Sequence, residues 1–226
     1  MINNKVGGDN WSAAGSMPQF GLSVRCGQDA VVQVSRRTRE TAIQATFSLA
    51  PGECSCRSGI GFLDHMIQQL VFHARWSLQL ECSGDLQVDD HHSVEDTALV
   101  LGMAIHEAVK QLSSSSRIER FGLAMAPMDD ALTRAVVDFS GRPWACVALG
   151  TRREMLGELS CENITHFFNS LALAMKINLH IDVLRGENDH HRVESAFKAC
   201  ALAIRQALMV NETDQPANCG STKGVL

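Results

Sequence analysis

No run of apolar residues in this chain reaches the ~18–20 that a membrane-spanning helix needs. Nor is any basic stretch long enough to track a phosphate backbone, and the formal net charge is −5, so nucleic acid is not an expected partner. Eight cysteines are present, yet no Cys-x-x-Cys pair occurs, no signal peptide precedes them, and Cys82, Cys146 and Cys200 fall at strand- or helix-core positions. Reduced thiols in a cytoplasmic protein fit that pattern better than a disulfide framework. A glycine-rich phosphate loop and a nucleophile elbow are both missing, which removes kinase and serine-hydrolase readings. What remains is ordinary globular material, 45% hydrophobic and 20% charged over 226 residues, enough to bury a core in one domain or two small ones.

Against that plain background one string occurs twice. Asp90-His91-His92-Ser93-Val94-Glu95 returns 99 positions later as Asp189-His190-His191-Arg192-Val193-Glu194. Behind the first copy Val94, Ala98, Leu101, Ile105 and Ala108 step by three and four; behind the second, Val193, Phe197, Cys200, Ile204 and Ala207 do the same. Each copy therefore opens an amphipathic helix with one buried face. Upstream, Trp76–Cys82 and Met175–Val183 alternate apolar and polar residues and read as half-buried strands. Earlier still, His65 and His166 each sit near the start of an apolar helical stretch. A period of about 100 residues is a duplicated domain, since solenoid repeats run to roughly 20–50.

The expected organisation is a disordered leader over residues 1–30, rich in Gly, Ser, Asn and Asp, followed by halves at 31–116 and 117–226 that form one compact unit. The leader is not of transit type, because Asp9 is present and no arginine precedes Arg25. Gly52 to Ser58 reads as a long hairpin loop, Leu112 to Arg117 as a polar connector, and Asn211 to Gly220 as a loop-like tail. An early strand is expected over Ala42–Leu49. A hairpin around Ser140-Gly141-Arg142-Pro143 would join strands at Leu132–Phe139 and Trp144–Leu149. Strands and helices in this order imply an α+β layer per half, with the helices between two sheets.

On a helix, residues i and i+3 or i+4 share a face, whereas neighbours diverge by about 100°. Glu95 can thus join His91 or His92 on one ion, while the two histidines aim at different ions. His65, His91, His92, Glu95, His166, His190, His191 and Glu194 make eight potential ligands, which divide naturally into three imidazoles and one carboxylate for each of two metals. Such sites keep open positions and suit catalysis; Mn, Fe, Ni, Co and Zn all accept these donors. The bland alternative is helix capping, for which Asp90 and Asp189 are good candidates. His73, His106 and His180 lie outside the repeat and read as structural or surface residues. Arg120, Arg142, Lys198, Ser221 and Lys223 could grip a phosphate, Lys198 being placed on the helix face of Glu194. These donors would also serve a two-metal hydrolase or a purely structural metal assembly; the former lacks an obvious bridging carboxylate and the latter needs no phosphate cluster.

Gly59-Ile-Gly-Phe-Leu-Asp-His-Met66, Gly84 to Asp96, Arg120-Phe-Gly, Pro127-Met-Asp-Asp-Ala-Leu132, Asp138-Phe-Ser-Gly-Arg-Pro143, His166-Phe-Phe, Asn188 to Lys198 and Ser221-Thr-Lys-Gly-Val-Leu226 together resemble the imidazoleglycerol-phosphate dehydratase family of histidine biosynthesis, over about residues 31 to 226. Gly220 departs from the pattern, standing where proline is expected. The resemblance implies a duplicated fold similar to ribosomal protein S5 domain 2, with helices packed between two four-stranded sheets. It further implies two Mn(II) ions per subunit and trimers assembled into a 24-mer that shares ligands between neighbours. One ion would take His65, His92, Glu95 and His191, the other His91, His166, His190 and Glu194. Glu40, Gln69, Arg120, Arg142, Lys198, Ser221 and Lys223 match the family's substrate contacts. The implied reaction is loss of water from imidazole glycerol phosphate: the ring pushes out the C3 hydroxyl, and removal of the C2 proton gives an enol that collapses to the ketone. Glu40 is the expected base, with Glu194 its rival.

Overall fold

Thr41, Ile43, Ala45 and Phe47 are buried while Ala42, Gln44 and Thr46 between them are half-exposed, the period-two pattern that lays one face of a strand on a core. In the computed structural model, which describes residues 20–27 and 31–210, this strand is β3 (Thr41–Ser48). It shares a sheet with β1 (Gly21–Cys26), β2 (Val32–Arg37), β4 (Cys54–Arg57) and β5 (Ser77–Gly84), in the order β1-β2-β3-β5-β4. A second sheet contains β6 (Phe121–Met128), β7 (Ala131–Asp138), β8 (Trp144–Ala148) and β11 (Asn178–Arg185), ordered β6-β7-β11-β8. Between β8 and the third helix, β9 (Met155–Leu156) and β10 (Leu159–Ser160) pair only with each other. The paths β2-β3-β5-β4 and β6-β7-β11-β8 are the same path drawn twice, each with its short edge strand parallel to the last strand of its half.

Four helices, α1 (Gly61–Ala74), α2 (His91–Ser115), α3 (Cys161–Met175) and α4 (Asp189–Ala207), lie between the sheets. α2 packs on β2 and β3, and α4 on β6 and β7, each covering the apolar face of its own sheet. Across the halves α1 meets α4 and α2 meets α3. Phe167, Phe168 and Phe197 are fully buried at the α3–α4 contact, with ring centroids 4.5–5.8 Å apart. Burying each such ring stabilises the fold by about 1.5–3 kcal/mol. The repeat extends to the backbone. α1 and α3 both end in a non-glycine residue in the left-handed region, Arg75 (φ 62°) and Lys176 (φ 57°). In each case the next N–H, of Trp76 or Ile177, turns back to a helix carbonyl and closes the end.

Several expectations need correction. The first sheet has five strands, not four, because β1 lies inside the segment read as a disordered leader: its residues pair one for one with β2 and Val24 rests on the core. Residues 1–19 and 28–30 lie outside the described residues, as does the tail from 211 to 226. Cys54–Arg57 is an edge strand, not hairpin loop, because its backbone pairs in parallel with β5. β7 and β8 form no hairpin, since β11 inserts between them and takes β8 as its parallel partner. α2 runs on into the serine tract to Ser115. There the Ser113 and Ser114 hydroxyls donate to the Lys110 and Gln111 carbonyls, so the serines cover helical backbone instead of breaking it. Met175 ends α3, and the strand begins only at Asn178.

Close approach between layers is secured by glycine. A methyl group on Gly122 of β6 would lie 1.9 Å from the Ala203 carbonyl oxygen of α4 and 2.9 Å from the Ala207 nitrogen, neither of which can rotate away. Gly122→Ala should push α4 off the sheet and cost about 1–3 kcal/mol, read as a lower thermal unfolding midpoint at fixed protein and metal concentration.

Candidate metal centres

Each of the four helices carries ligand-type side chains in its first turns. The α1–α4 contact brings His65 to His190 and Glu194; the α2–α3 contact brings His166 to His91 and Glu95. Within each triad one donor atom from every residue lies within 4.8 Å of the others. Glu194 Oε2 is 3.1 Å from His190 Nε2 and 3.5 Å from His65 Nε2, and Glu95 Oε1 is 3.1 Å from His166 Nε2. Imidazole and carboxylate donors converging at this spacing fit a divalent transition-metal ion. Among the described residues, no helix is long and apolar enough to cross a membrane.

Neighbouring histidines do diverge. The His91 and His92 rings are inclined at 76° and those of His190 and His191 at 83°, with centroids 6.0 Å apart in both pairs. The grouping nevertheless differs from the division that the resemblance implies. His65 keeps company with His190 and Glu194, and Glu95 with His91 and His166, because α1 packs on α4 and α2 on α3. His92 and His191 stand outside both triads, each with Nδ1 against a carboxylate. Asp85 lies 3.1 Å from His92, and Asp130 lies 2.6 Å from His191. A carboxylate on Nδ1 is the usual way to present Nε2 to a metal.

The charges around these groups follow from contacts. The Asp85 hydrogen bond, together with more distant Glu40, raises the His92 pKa above its ordinary value. Asp130 is held well below the usual carboxylate range by His191 and by the backbone N–H groups of Glu187 and Asn188. Burial pushes the Glu194 carboxyl up, but Lys198 Nζ at 2.6 Å and His190 outweigh it, so the net direction is down.

Neither aspartate caps a helix with its side chain. Asp90 sits at the N-cap of α2 but accepts from the Ser160 N–H and hydroxyl and from Asn163 Nδ2. Asp189 lies inside the first turn of α4, where Asn188 caps, and accepts from the Arg152 and Arg153 N–H groups. Asp90, Asn163, Asp85 and Asp130 were not singled out by sequence reasoning for these roles; only the repeated aspartate and the Asp129-Asp130 pair carried any signal.

The substrate-contact candidates are dispersed in one chain. Gln69 lies one turn beyond His65, and Lys198 one turn beyond Glu194, where its Nζ also touches Met128 Sδ at 3.2 Å. Glu40 is exposed in the turn between β2 and β3. Arg120 is bound to Asp138 at 2.6 Å and lies over the Phe121 ring. Arg142 is exposed beside Asn178, which donates to its carbonyl. Arg120 immediately precedes β6, and Met128 ends that strand, seven strand steps or about 23 Å beyond Phe121. Arg120 and Arg142 therefore occupy the end of the second sheet away from Lys198. Ser221 and Lys223 lie outside the described residues.

The comparisons agree with this architecture. Residues 58–204 match the family model described as imidazoleglycerol-phosphate dehydratase. The Saccharomyces cerevisiae imidazoleglycerol-phosphate dehydratase is 49% identical over 211 residues, covering 92% of this chain and 92% of that protein. The Kluyveromyces lactis enzyme is 48% identical over 217 residues, covering 85% and 96%. Among solved structures, the Staphylococcus aureus enzyme superposes with a TM-score of 0.71 at 31% identity, covering 80% of this chain and 99% of that one. The Pyrococcus furiosus enzyme gives 0.70 at 32%, covering 85% and 99%. With the duplicated α+β fold and both triads already in view, the chain belongs to the imidazoleglycerol-phosphate dehydratase family, the hydro-lyases of histidine biosynthesis.

Proposed function

We propose that this lyase works with two Mn(II) ions per chain, one in the His65–His190–Glu194 triad and one in the His91–Glu95–His166 triad, each completed by a histidine from a neighbouring copy. The reaction itself is the family's, dehydration of imidazole glycerol phosphate to imidazole acetol phosphate. The observation that carries the reading is the pair of equivalent three-donor clusters. His92 and His191 lie outside them with Nδ1 already engaged, which suits them as ligands donated to another subunit. Arg120 and Arg142 are too far from Lys198 to hold one small phosphate ester within a single chain, which again favours a site built between copies. Trimers assembled into a 24-mer are the arrangement we infer, in the cytoplasm, where the seven described cysteines would stay free as they are here.

Bound in these triads, Mn(II) supplies Lewis acidity and a template for the substrate's imidazole ring. The rest belongs to the chain. Arg120, Arg142, Lys198, Ser221 and Lys223 hold the phosphate, and Gln69 lines the ring end beside His65. Glu40, free of both triads yet close enough to His92 to influence it, takes the C2 proton. The halves 31–116 and 117–226 act as one unit, and the tail brings Ser221 and Lys223 to the substrate.

Changing Arg142, Lys198 or Lys223 to Ala should leave two metals per chain at saturating Mn(II) and lower kcat/KM. Each loses a charge-assisted hydrogen bond worth about 1.5–3 kcal/mol, or roughly 10–150-fold. Substrate without its phosphate should be poor for the parent enzyme and nearly insensitive to these changes. Equal turnover of phosphorylated and dephosphorylated substrate would reduce the cationic cluster to surface charge.

A further inference from the structure

We infer that the two triads are unequal metal sites: His91, Glu95 and His166 hold their ion more tightly than His65, His190 and Glu194, because Asn163 orients one while Lys198 competes in the other. The inference rests on reading the triads as metal sites and goes on to rank them.

The duplication makes the comparison internal, since every supporting residue has a counterpart in the other half. Asn163, three residues before His166 on α3, corresponds to Phe62, three residues before His65 on α1. Asn163 is 5% exposed, and its Nδ2 donates to Asp90 Oδ1 at 2.8 Å. That bond fixes which way the amide points. Its oxygen faces His91 Nδ1 at 3.0 Å and can only accept, so Nδ1 carries the proton and the Nε2 lone pair is left for an ion. Asp90 is itself held by the Ser160 N–H and hydroxyl, which anchors the whole chain of bonds to the start of α3. The His91 and His166 rings stack 4.7 Å apart at 27°.

In the other triad Phe62 presents its ring edge-on to His190, 5.1 Å between centroids, and offers no acceptor. The His65 and His190 rings are farther apart, 5.9 Å at 47°. The carboxylates differ in the same sense. Glu194 has Lys198 one turn on, Nζ 2.6 Å from Oε1; the residue one turn after Glu95 is Leu99. A cation bonded to the ligand carboxylate withdraws charge that an incoming metal would use and repels the metal directly. Both differences weaken the same site; against them stands only the deeper burial of Glu194, whose side chain is 7% exposed where that of Glu95 is 38% exposed.

The test follows Mn(II) retention, not turnover. The full-length protein, loaded with Mn(II), is equilibrated against a series of free Mn(II) concentrations set by a chelator buffer, and metal per chain is measured. The parent should fall from two ions to one and then to none in two separated steps. Asn163→Leu should move the tighter step by roughly 10–100-fold toward weaker binding and leave the other in place. Lys198→Leu, which installs the residue found at position 99, should move the weaker step by roughly tenfold toward tighter binding. Circular dichroism and solution mass at saturating Mn(II) establish that each variant is folded and assembled. A single step in the parent overturns the inference, as does a shift of the weaker step by Asn163→Leu. Fewer than two ions at saturation would sink the metal reading itself, a result distinct from two ions leaving together.

Discussion

Stripping Mn(II) with a chelator at neutral pH should abolish dehydration completely and break the large particle into small oligomers. The reason is the division of donors: three come from one chain, and the fourth, His92 or His191, from its neighbour in the arrangement proposed above. Metal binding and association then share one free energy, so removing the ion releases the contact. Acidification through the histidine range should act in the same direction, because protons compete with metal for imidazole nitrogen. Light scattering and an activity assay on the same sample would follow both, and restoring Mn(II) should recover both. A particle of unchanged mass after complete metal removal would refute the shared-ligand arrangement.

The second large effect concerns proton removal from carbon. Glu40→Gln should retain two metals and full assembly while losing turnover by about 10²–10⁴-fold, the range a positioned base contributes. Glu194→Gln should do something different in kind. Glu194 is the carboxylate of its triad and is buried with a side chain 7% exposed, so its loss should cost one ion per chain and loosen the particle. Metal content, solution mass and turnover measured on the two variants separate the roles. Near-normal turnover in Glu40→Gln, whatever its substrate affinity, would remove Glu40 as the base.

What could be read before any coordinates was what repeats locally. His91 to Glu95 and His190 to Glu194 declare helix starts by spacing alone, and the divergence of adjacent histidines is a property of any helix. The half-buried strands showed themselves by alternation, as β3 and β5 do. Partnership over long range was not legible. Trp144–Ala148 follows Ala131–Asp138 after a turn-like Ser140-Gly141-Arg142-Pro143, and nothing local says that a strand 34 residues later will take the place between them. Asp90 has the composition and position of a cap, yet its hydrogen bonds go to residues 70 and 73 positions away. The company each ligand keeps within one chain was hidden for the same reason: helix spacing fixes which histidines diverge, and only the packing of α1 on α4 and α2 on α3 decides whom each one meets. Asn163 had no signal at all, because an asparagine in a helix gains its role from the neighbour it touches.

Each triad draws on both halves, α1 with α4 and α2 with α3. A chain of half this length would carry one ligand histidine of the His65 or His166 kind and one His-His-x-x-Glu, and could complete no triad by itself; paired with its own copy, it would create both at once, identical by symmetry. Joining the halves in one chain keeps the geometry of that pair while releasing it from sameness. Position 62 can then be phenylalanine where position 163 is asparagine, and position 99 leucine where position 198 is lysine. Fusion lets one repeated unit become two different tools within one chain.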